Sequence, residues 1–329
     1  MNESDSNNNW KKHLLESSMP LEQDAARILT RRGFNITSYP YLRSDRSVGG
    51  IDKENSIDVR GVKTYGPTTI VHPPAALDVL IECKYRSRGI RWIFLQEPAA
   101  RHDSIQNAVI DVDLFSSLFV TDVWTNDGPV VPVCYAYVEL GEKMKDDAKI
   151  KHGVRQLQYA VPSLITMRAR WATSRRLDEN YPFFFALVLV TNATLMVGCP
   201  EFGVSSVEDG EAIESLGTEV PCLLLSQTLG PDFYSHAQRE LPVLTALTAT
   251  NNLRAVEERR AANAGLPNWL QPSGVVSRIA ADGGEFEELA DCTKIVVVNI
   301  DALSTTLEAL DKAFRRKVDL LKTQPLRTW

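Results

Sequence analysis

The longest uninterrupted apolar run in the chain extends from Phe183 to Val190. It suits a buried β-strand, and it is far shorter than the roughly 18 apolar residues that a membrane-spanning helix needs. No run of that greater length occurs, so we expect no transmembrane helix. Six segments outside residues 183–197 also carry strand patterns. They are Phe34–Leu42, Ser56–Val62, Leu77–Tyr85, Arg91–Leu95, Val130–Val138 and Lys294–Ile300.

Four segments have apolar residues at helical spacing. They are about Pro20–Arg32, Lys145–Arg170 with a bend or break at Pro162, Leu241–Ala264 and Ser304–Leu321. Asn192 separates two strand patterns and predicts a hairpin of Phe183–Val190 with Ala193–Val197. The stretch Ser44–Ser56 is predicted to be a polar loop. Because strands come early and helices are interleaved later, the order of elements indicates a mixed α/β fold.

The composition is that of an ordinary globular protein, with 44% hydrophobic and 24% charged residues. The five cysteines are scattered, which indicates reduced core thiols and a cytoplasmic protein. The polar start of the chain is not a secretory signal. A net charge of −6 argues against a protein that coats nucleic acid indiscriminately. It leaves room for a nuclease, because a local basic surface can bind phosphates while the rest of the molecule is acidic.

The strand Leu77–Tyr85 carries charges on one face only. Side chains alternate along a strand, so Glu82 and Lys84 project from the face opposite Ile81 and Cys83. Burying such charges costs several kcal/mol per ion unless they are paired or bind a metal. The preceding strand offers Asp58, which we expect to point away from Ile57 and Val59. Two carboxylates on adjacent strands suit Mg²⁺ or Mn²⁺. Asp78 shares the face of Glu82, but we interpret it as a strand-end residue.

Asp58 followed by Glu82-Cys83-Lys84 resembles the signature of PD-(D/E)xK restriction-endonuclease-like nucleases, most closely Mrr-like restriction proteins and related prokaryotic defence nucleases. The resemblance implies a mixed central sheet flanked by helices. It also implies catalytic roles for Asp58, Glu82, Lys84 and Glu22. The implied metal ligands are Asp58, Glu82, Glu22 and the backbone carbonyl of Cys83. The chain departs from the family pattern in two ways: Ile57 replaces the proline, and about sixty residues separate Lys84 from the next helix.

The same resemblance suggests how the chain is organised. We expect a loosely ordered N-terminus over residues 1–15 and a nuclease core over residues 16–200. A C-terminal α/β extension over residues 201–329 is then expected to complete the same domain.

Candidate contacts to nucleic acid lie near the predicted site. Arg86, Arg88 and Arg91 follow Lys84 directly, and Trp92 stands beside them as an aromatic that could stack. Gln156 and Gln158 lie on the helix expected to flank the site, although a plain polar helix face explains either of them better. A second basic cluster is consistent either with a functional role or with an ordinary solvent-exposed surface. It consists of Arg168, Arg170, Arg175 and Arg176.

Three functions are consistent with these patterns. The first is a Mg²⁺- or Mn²⁺-dependent endonuclease acting on nucleic acid, with double-stranded DNA favoured over RNA, in restriction or anti-phage defence. The second is a nuclease-fold module that binds or senses nucleic acid without cutting it. The third is an interaction protein in which Glu82 and Lys84 form an ordinary ion pair. A homodimer and a partner protein from a defence system are further expectations.

Overall fold

The structure is a computed structural model. It describes residues 3–45, 51–65, 75–96, 102–112, 128–141, 145–174, 183–240 and 294–323. Six α-helices lie in these ranges. They are α1 (Glu3–Glu16), α2 (Met19–Arg31), α3 (Ala148–Ser174), α4 (Val204–Glu208), α5 (Pro231–Glu240) and α6 (Leu303–Thr323).

The strands belong to one large mixed sheet. Those of the first part are β1 (Asn35–Asp45), β2 (Ile51–Tyr65), β3 (Ala75–Lys84), β4 (Arg91–Gln96), β5 (His102–Ser104), β6 (Ile110–Val112), β7 (Val130–Leu140) and β8 (Lys145–Asp146). Those of the second part are β9 (Phe183–Thr191), β10 (Thr194–Gly198), β11 (Gly217–Glu219), β12 (Cys222–Ser226) and β13 (Lys294–Asn299). The fold is therefore mixed α/β, as the order of elements predicted.

The sheet places β3 and β9 side by side near its middle. The strand order is β1-β2-β3-β9-β13-β12-β7-β4-β10-β11, with β5, β6 and β8 attached beside this path. β2 and β3 are antiparallel, whereas β3, β9 and β13 are parallel neighbours. All nine residues of β9 are buried, which explains its continuous apolar sequence. β13, from the last third of the chain, thus lies inside the same sheet as β3.

Helices cover both faces of the sheet. On one face, Ile150, Val154 and Leu157 of α3 and Phe233 of α5 join a core with Leu80 of β3. On the other face, apolar residues of α2 and α6 pack against β3. They are Leu21, Ala25, Leu29, Leu307, Leu310 and Phe314, which meet Leu77, Val79, Ile81 and Cys83. Since β3 is covered on both sides, any charge it carries must find a partner within the protein.

Several sequence predictions need correction. β9 and β10 do not form a hairpin, because β9 pairs with β3 and β13 while β10 pairs with β4 and β11. The predicted polar loop Ser44–Ser56 is largely strand, since β1 and β2 pair out to Asp45 and Ile51. The residues between them, 46–50, lie outside the described residues. α3 runs without a break through Pro162, whose neighbours on both sides are packed in the core, and the alternative of a bend stays a prediction.

Two further predictions concern the start of the chain and the helix expected after α5. Residues 3–16 form α1, and the predicted division of the chain into residues 1–15, 16–200 and 201–329 stays a prediction. The predicted helix Leu241–Ala264 lies outside the described residues. Among the described residues, no helix is long and apolar enough to span a membrane.

Asp78 lies in the middle of β3 rather than at a strand end, and it is fully buried. Its Oδ1 accepts hydrogen bonds from Nε and Nη2 of Arg60, at 2.8 and 2.6 Å. Its Oδ2 accepts from Arg168, whose Nε lies 2.8 Å away. Both guanidinium groups lie over aromatic rings, Arg60 over Tyr39 and Arg168 over Phe183. Asp78 therefore joins β2, β3 and α3 through charge, which gives Arg168 a structural role.

Candidate functional site

Glu82 and Lys84 lie on the face of β3 that α3 covers, as side-chain alternation predicted. Glu82 is fully buried, and its Oε1 forms an ion pair with the ammonium group of Lys84. The same ammonium donates to Oε1 of Gln156, on α3, at 3.1 Å. Lys84 thus contacts two other predicted site residues directly, Glu82 and Gln156.

A β-bulge brings Asp58 to this pair. Thr37 of β1 pairs with Arg60 and Tyr39 pairs with Ile57, so Asp58 and Val59 together face the single residue between them. The extra residue sends Ile57 into the core on the α3 side and Val59 into the core on the α2 side. The expectation that Ile57 and Val59 share a face is therefore wrong.

The carboxylate of Asp58 continues the ladder between β2 and β3. The paired residues end at Val59 and Ile81, and the next contact is made by the Asp58 side chain. Its Oδ2 accepts a hydrogen bond from the backbone N–H of Cys83 at 2.7 Å. Asp58 is consequently held beside Glu82, where the two strands begin to separate.

Glu22 approaches the same strand end from the first turn of α2. The helix is anchored there by Ser18, whose Oγ accepts from the backbone N–H of Tyr85 at 3.1 Å. Ser18 adopts a φ of 63°, in the left-handed region that non-glycine residues seldom occupy. Partial burial and the nearby charge of Asp58 raise the pKa of Glu22, while the charge of Lys84 lowers it. Glu22 therefore lies within electrostatic range of the two residues it was predicted to assist.

Burial dominates the electrostatics of the two inner carboxylates. It raises the pKa of Glu82 to about 8, against the attraction of Lys84, and the charge of Asp58 adds to the rise. Burial also raises the pKa of Asp58, although the Cys83 N–H and the charge of Lys84 oppose it. At both carboxyl groups, burial therefore outweighs the attraction of the Lys84 ammonium.

The donor atoms fit a divalent cation only in part. Glu82 Oε2 is buried and has no hydrogen-bond partner, which is the situation expected of an atom meant to meet a cation. Asp58 supplies further oxygen, and oxygen ligands are what Mg²⁺ and Mn²⁺ prefer. Within the described ranges, however, no group of three or more His, Cys, Asp or Glu residues is arranged to hold a metal. The metal-ligand roles of Asp58, Glu82, Glu22 and the Cys83 carbonyl therefore all stay predictions.

Gly153 lets α3 approach the site closely. A Cβ at this position would lie 2.6 Å from Leu189 Cδ1, 3.2 Å from Lys84 Cε and 3.5 Å from Glu82 Cγ. The absence of a side chain brings the helix backbone against the two charged residues and places Gln156 within reach of Lys84. Gly153 was not predicted to support the site, because a glycine inside a helix gives no sign of what it approaches.

The predicted nucleic-acid contacts fall in different environments. Arg86 forms an ion pair with buried Glu139, and Arg91 with exposed Glu214. Trp92 is fully buried and donates its indole N–H to Glu139 at 2.8 Å, so it cannot stack on a base as predicted. Arg88 is exposed. Gln158, unlike Gln156, is buried in α3 with its Nε2 unpartnered, and its predicted role stays untested.

Residues at the end of β9 hold the segment that follows Lys84. Thr191 donates its hydroxyl to the Lys84 carbonyl at 2.8 Å. Asn192 accepts from the backbone N–H of Arg86 and donates to its carbonyl, both at 2.7 Å. Neither residue was predicted to support the site. Their role follows from the pairing of β3 with β9, which the sequence did not predict. The sequence indicated only a turn at Asn192.

We expect Asn192→Ala to reduce any activity of the site more than its loss of stability explains. The variant loses two hydrogen bonds, worth about 1–3 kcal/mol together, and frees the chain next to Lys84. Gln227→Ala is the control, because Gln227 also donates a side-chain hydrogen bond to a backbone carbonyl, that of Tyr135, and it follows β12, which does not adjoin β3. Equal activity in two variants of equal melting temperature would contradict a positioning role for Asn192.

No family model, curated protein or solved structure matches the chain. The interpretation of the site therefore depends on its own geometry and on the motif in its sequence.

Proposed function

We propose that the protein is a metal-dependent endonuclease of the PD-(D/E)xK type, with Asp58, Glu82 and Lys84 at its active centre. One observation carries the proposal. The three side chains, which lie on two strands, meet at the point where β2 and β3 separate, and an unpartnered carboxylate oxygen of Glu82 is buried among them. A restriction-endonuclease-like core and a defence setting follow from the sequence resemblance alone, as does a preference for DNA.

Asp58 and Glu82 are the residues that would hold Mg²⁺ or Mn²⁺, with Glu22 assisting from the edge of the site. When bound, the cation would neutralise the two carboxylates and polarise a phosphoryl oxygen. Lys84 cannot be a ligand while it is protonated. Its ammonium is placed to orient a water molecule or to stabilise charge on the phosphate. Gln156 restricts where that ammonium can go.

The test is incubation with supercoiled plasmid, linear DNA and RNA, each with Mg²⁺, Mn²⁺ or EDTA. We expect cleavage with metal, none with EDTA, and none by Asp58→Asn or Glu82→Gln. Glu54→Gln is the matched control, since Glu54 is an exposed carboxylate on the same strand as Asp58 and should not matter. Cleavage by Asp58→Asn at the wild-type rate would mean that the site is misplaced.

Glu82→Gln should also make the metal-free protein more stable at neutral pH. The pKa of Glu82 is raised from 4.5 to about 8, so between these values the unfolded chain is ionised while the folded one keeps its proton. The unfolded state then binds fewer protons, and the stability of the wild type falls as pH rises through this window. Melting curves in EDTA at pH 5 and pH 8.5 should show a steeper loss for wild type than for Glu82→Gln. Equal losses of stability in the wild type and in Glu82→Gln would contradict the raised pKa of Glu82.

The second candidate is a nuclease-fold module that binds nucleic acid without cutting it. It is favoured by the ion pair of Lys84 with Glu82 and by the absence of a three-ligand group among the described residues. Binding of nucleic acid with no cleavage under any metal would support this candidate over the first.

A further inference from the structure

The first turns of α3 carry a basic surface that the motif does not account for. Lys149, Lys151 and Arg155 are exposed there, and His152 is exposed between them. Asp147 is the one acidic residue in the segment 147–155. None of the ion pairs between described residues involves Lys149, Lys151 or Arg155. Their positive charge is therefore directed to the solvent.

This basic surface adjoins the site. Gly153 and Gln156 contact the Lys84 region from the same two turns, and helical spacing puts Lys149, His152 and Gln156 in one row. Lys151 and Arg155 form the next row, one turn apart. The charge of His152 also acts on Asp58, whose pKa it lowers. A ligand on these rows would therefore reach the end of β3.

Two other parts of the surface are less suited to a polyanion. Between residues 201 and 219 the chain has six acidic residues and no lysine or arginine. They are Glu201, Glu208, Asp209, Glu211, Glu214 and Glu219, and all are exposed. This segment includes β11, at the far end of the strand order from β1. Arg86 and Arg91, predicted to bind phosphate, are already paired with Glu139 and Glu214.

We propose that the exposed face of α3, through Lys149, Lys151 and Arg155, holds the phosphate backbone of a nucleic acid beside Lys84. The inference rests on the proposed function and names the surface that presents the substrate. Lysine and arginine on a helix exterior suit phosphates more than bases, so this contact should be independent of sequence. The partial positive charge at the start of a helix acts in the same direction.

The experiment measures binding of fluorescent duplex DNA, duplex RNA and the single strands of each, in EDTA, across a series of salt concentrations. The test variant is Lys149→Gln/Lys151→Gln, and the matched control is Arg239→Gln/Lys312→Gln, which removes two exposed charges on α5 and α6. We expect binding by the test variant to be weaker by about tenfold or more. Its slope of log affinity against log salt should fall by about 1.8 for duplex DNA, or about 0.9 per lost contact.

The outcomes separate this inference from the proposed function. Weakened binding by the test variant alone supports the α3 surface, even if the wild type never cleaves and the nuclease proposal fails. Wild-type affinity in the test variant of a protein that cleaves would overturn the α3 surface and leave the nuclease proposal standing. Failure of the wild-type protein to bind any of the four probes would overturn the α3 surface, while the nuclease proposal is decided by cleavage with metal. Preference among the probes identifies DNA or RNA.

Discussion

Replacing Lys84 by alanine is expected to abolish cleavage while leaving the affinity for Mn²⁺ intact. The ammonium is a donor aimed at charge that develops in the transition state, and losing one such donor costs about a hundredfold or more in rate. Asp58 and Glu82 keep their oxygens in the variant, and Glu82 also loses the cation that competes for its Oε1. Calorimetry with Mn²⁺ and a plasmid-nicking assay on the same preparation measure both effects.

Two further variants define what the lysine contributes. Lys84→Arg should not restore full activity, because a planar guanidinium cannot take the position of a compact ammonium beside Gln156. Lys63→Ala is the control for the loss of a half-buried ion pair, since Lys63 of β2 forms an ion pair with Asp311 of α6. Cleavage retained by Lys84→Ala would remove the basis of the nuclease proposal.

Asp78→Asn is expected to cause the largest loss of stability among single substitutions in β3. It leaves Arg60 and Arg168, both less than 9% exposed, without the carboxylate that they share. Removing one partner of a buried ion pair costs about 3–5 kcal/mol, because the remaining charge is buried without compensation. For a domain of this size the melting temperature should fall by about 10 °C. Thermal and urea unfolding at neutral pH measure the change.

The control for this substitution is Asp24→Asn. Asp24 also pairs with an arginine, Arg27, but both side chains are more than half exposed. Exposed ion pairs contribute little, so the control should lie within about 0.5 kcal/mol of wild type. A loss of similar size in the two variants would show that Asp78 does not support β2, β3 and α3 in the way the hydrogen bonds indicate.

Local patterns predicted the elements of the site well. Alternation along β3 placed Glu82 and Lys84 on one face, and the α3-side packing confirms that placement. The helix with Glu22 was predicted to within a residue at each end, from its proline, its closing glycine and its apolar stripe. These signals are short in range, since each depends on residues within a few positions of one another.

Features that depend on distant residues were not predictable. The bulge at Asp58 arises from the pairing of β1 with β2, and sequence alternation alone put Ile57 and Val59 on one face. Arg86 and Trp92 looked like surface residues because Glu139, which binds both, lies on another strand. The apparent hairpin at Asn192 failed for the same reason, because the partners of β9 and β10 are far away in sequence.

The parallel pairing of β3 with β9 determines when the site can exist during folding. Lys84 and Thr191 touch across 107 positions of sequence, and β9 in turn needs β13 on its other side. Such distant pairings form slowly, because the entropy of closing a long loop must be overcome before any contact is gained. A growing chain would therefore expose Asp58, Glu82 and Lys84 well before it could hold them together. The catalytic arrangement would assemble late, after synthesis has passed β13.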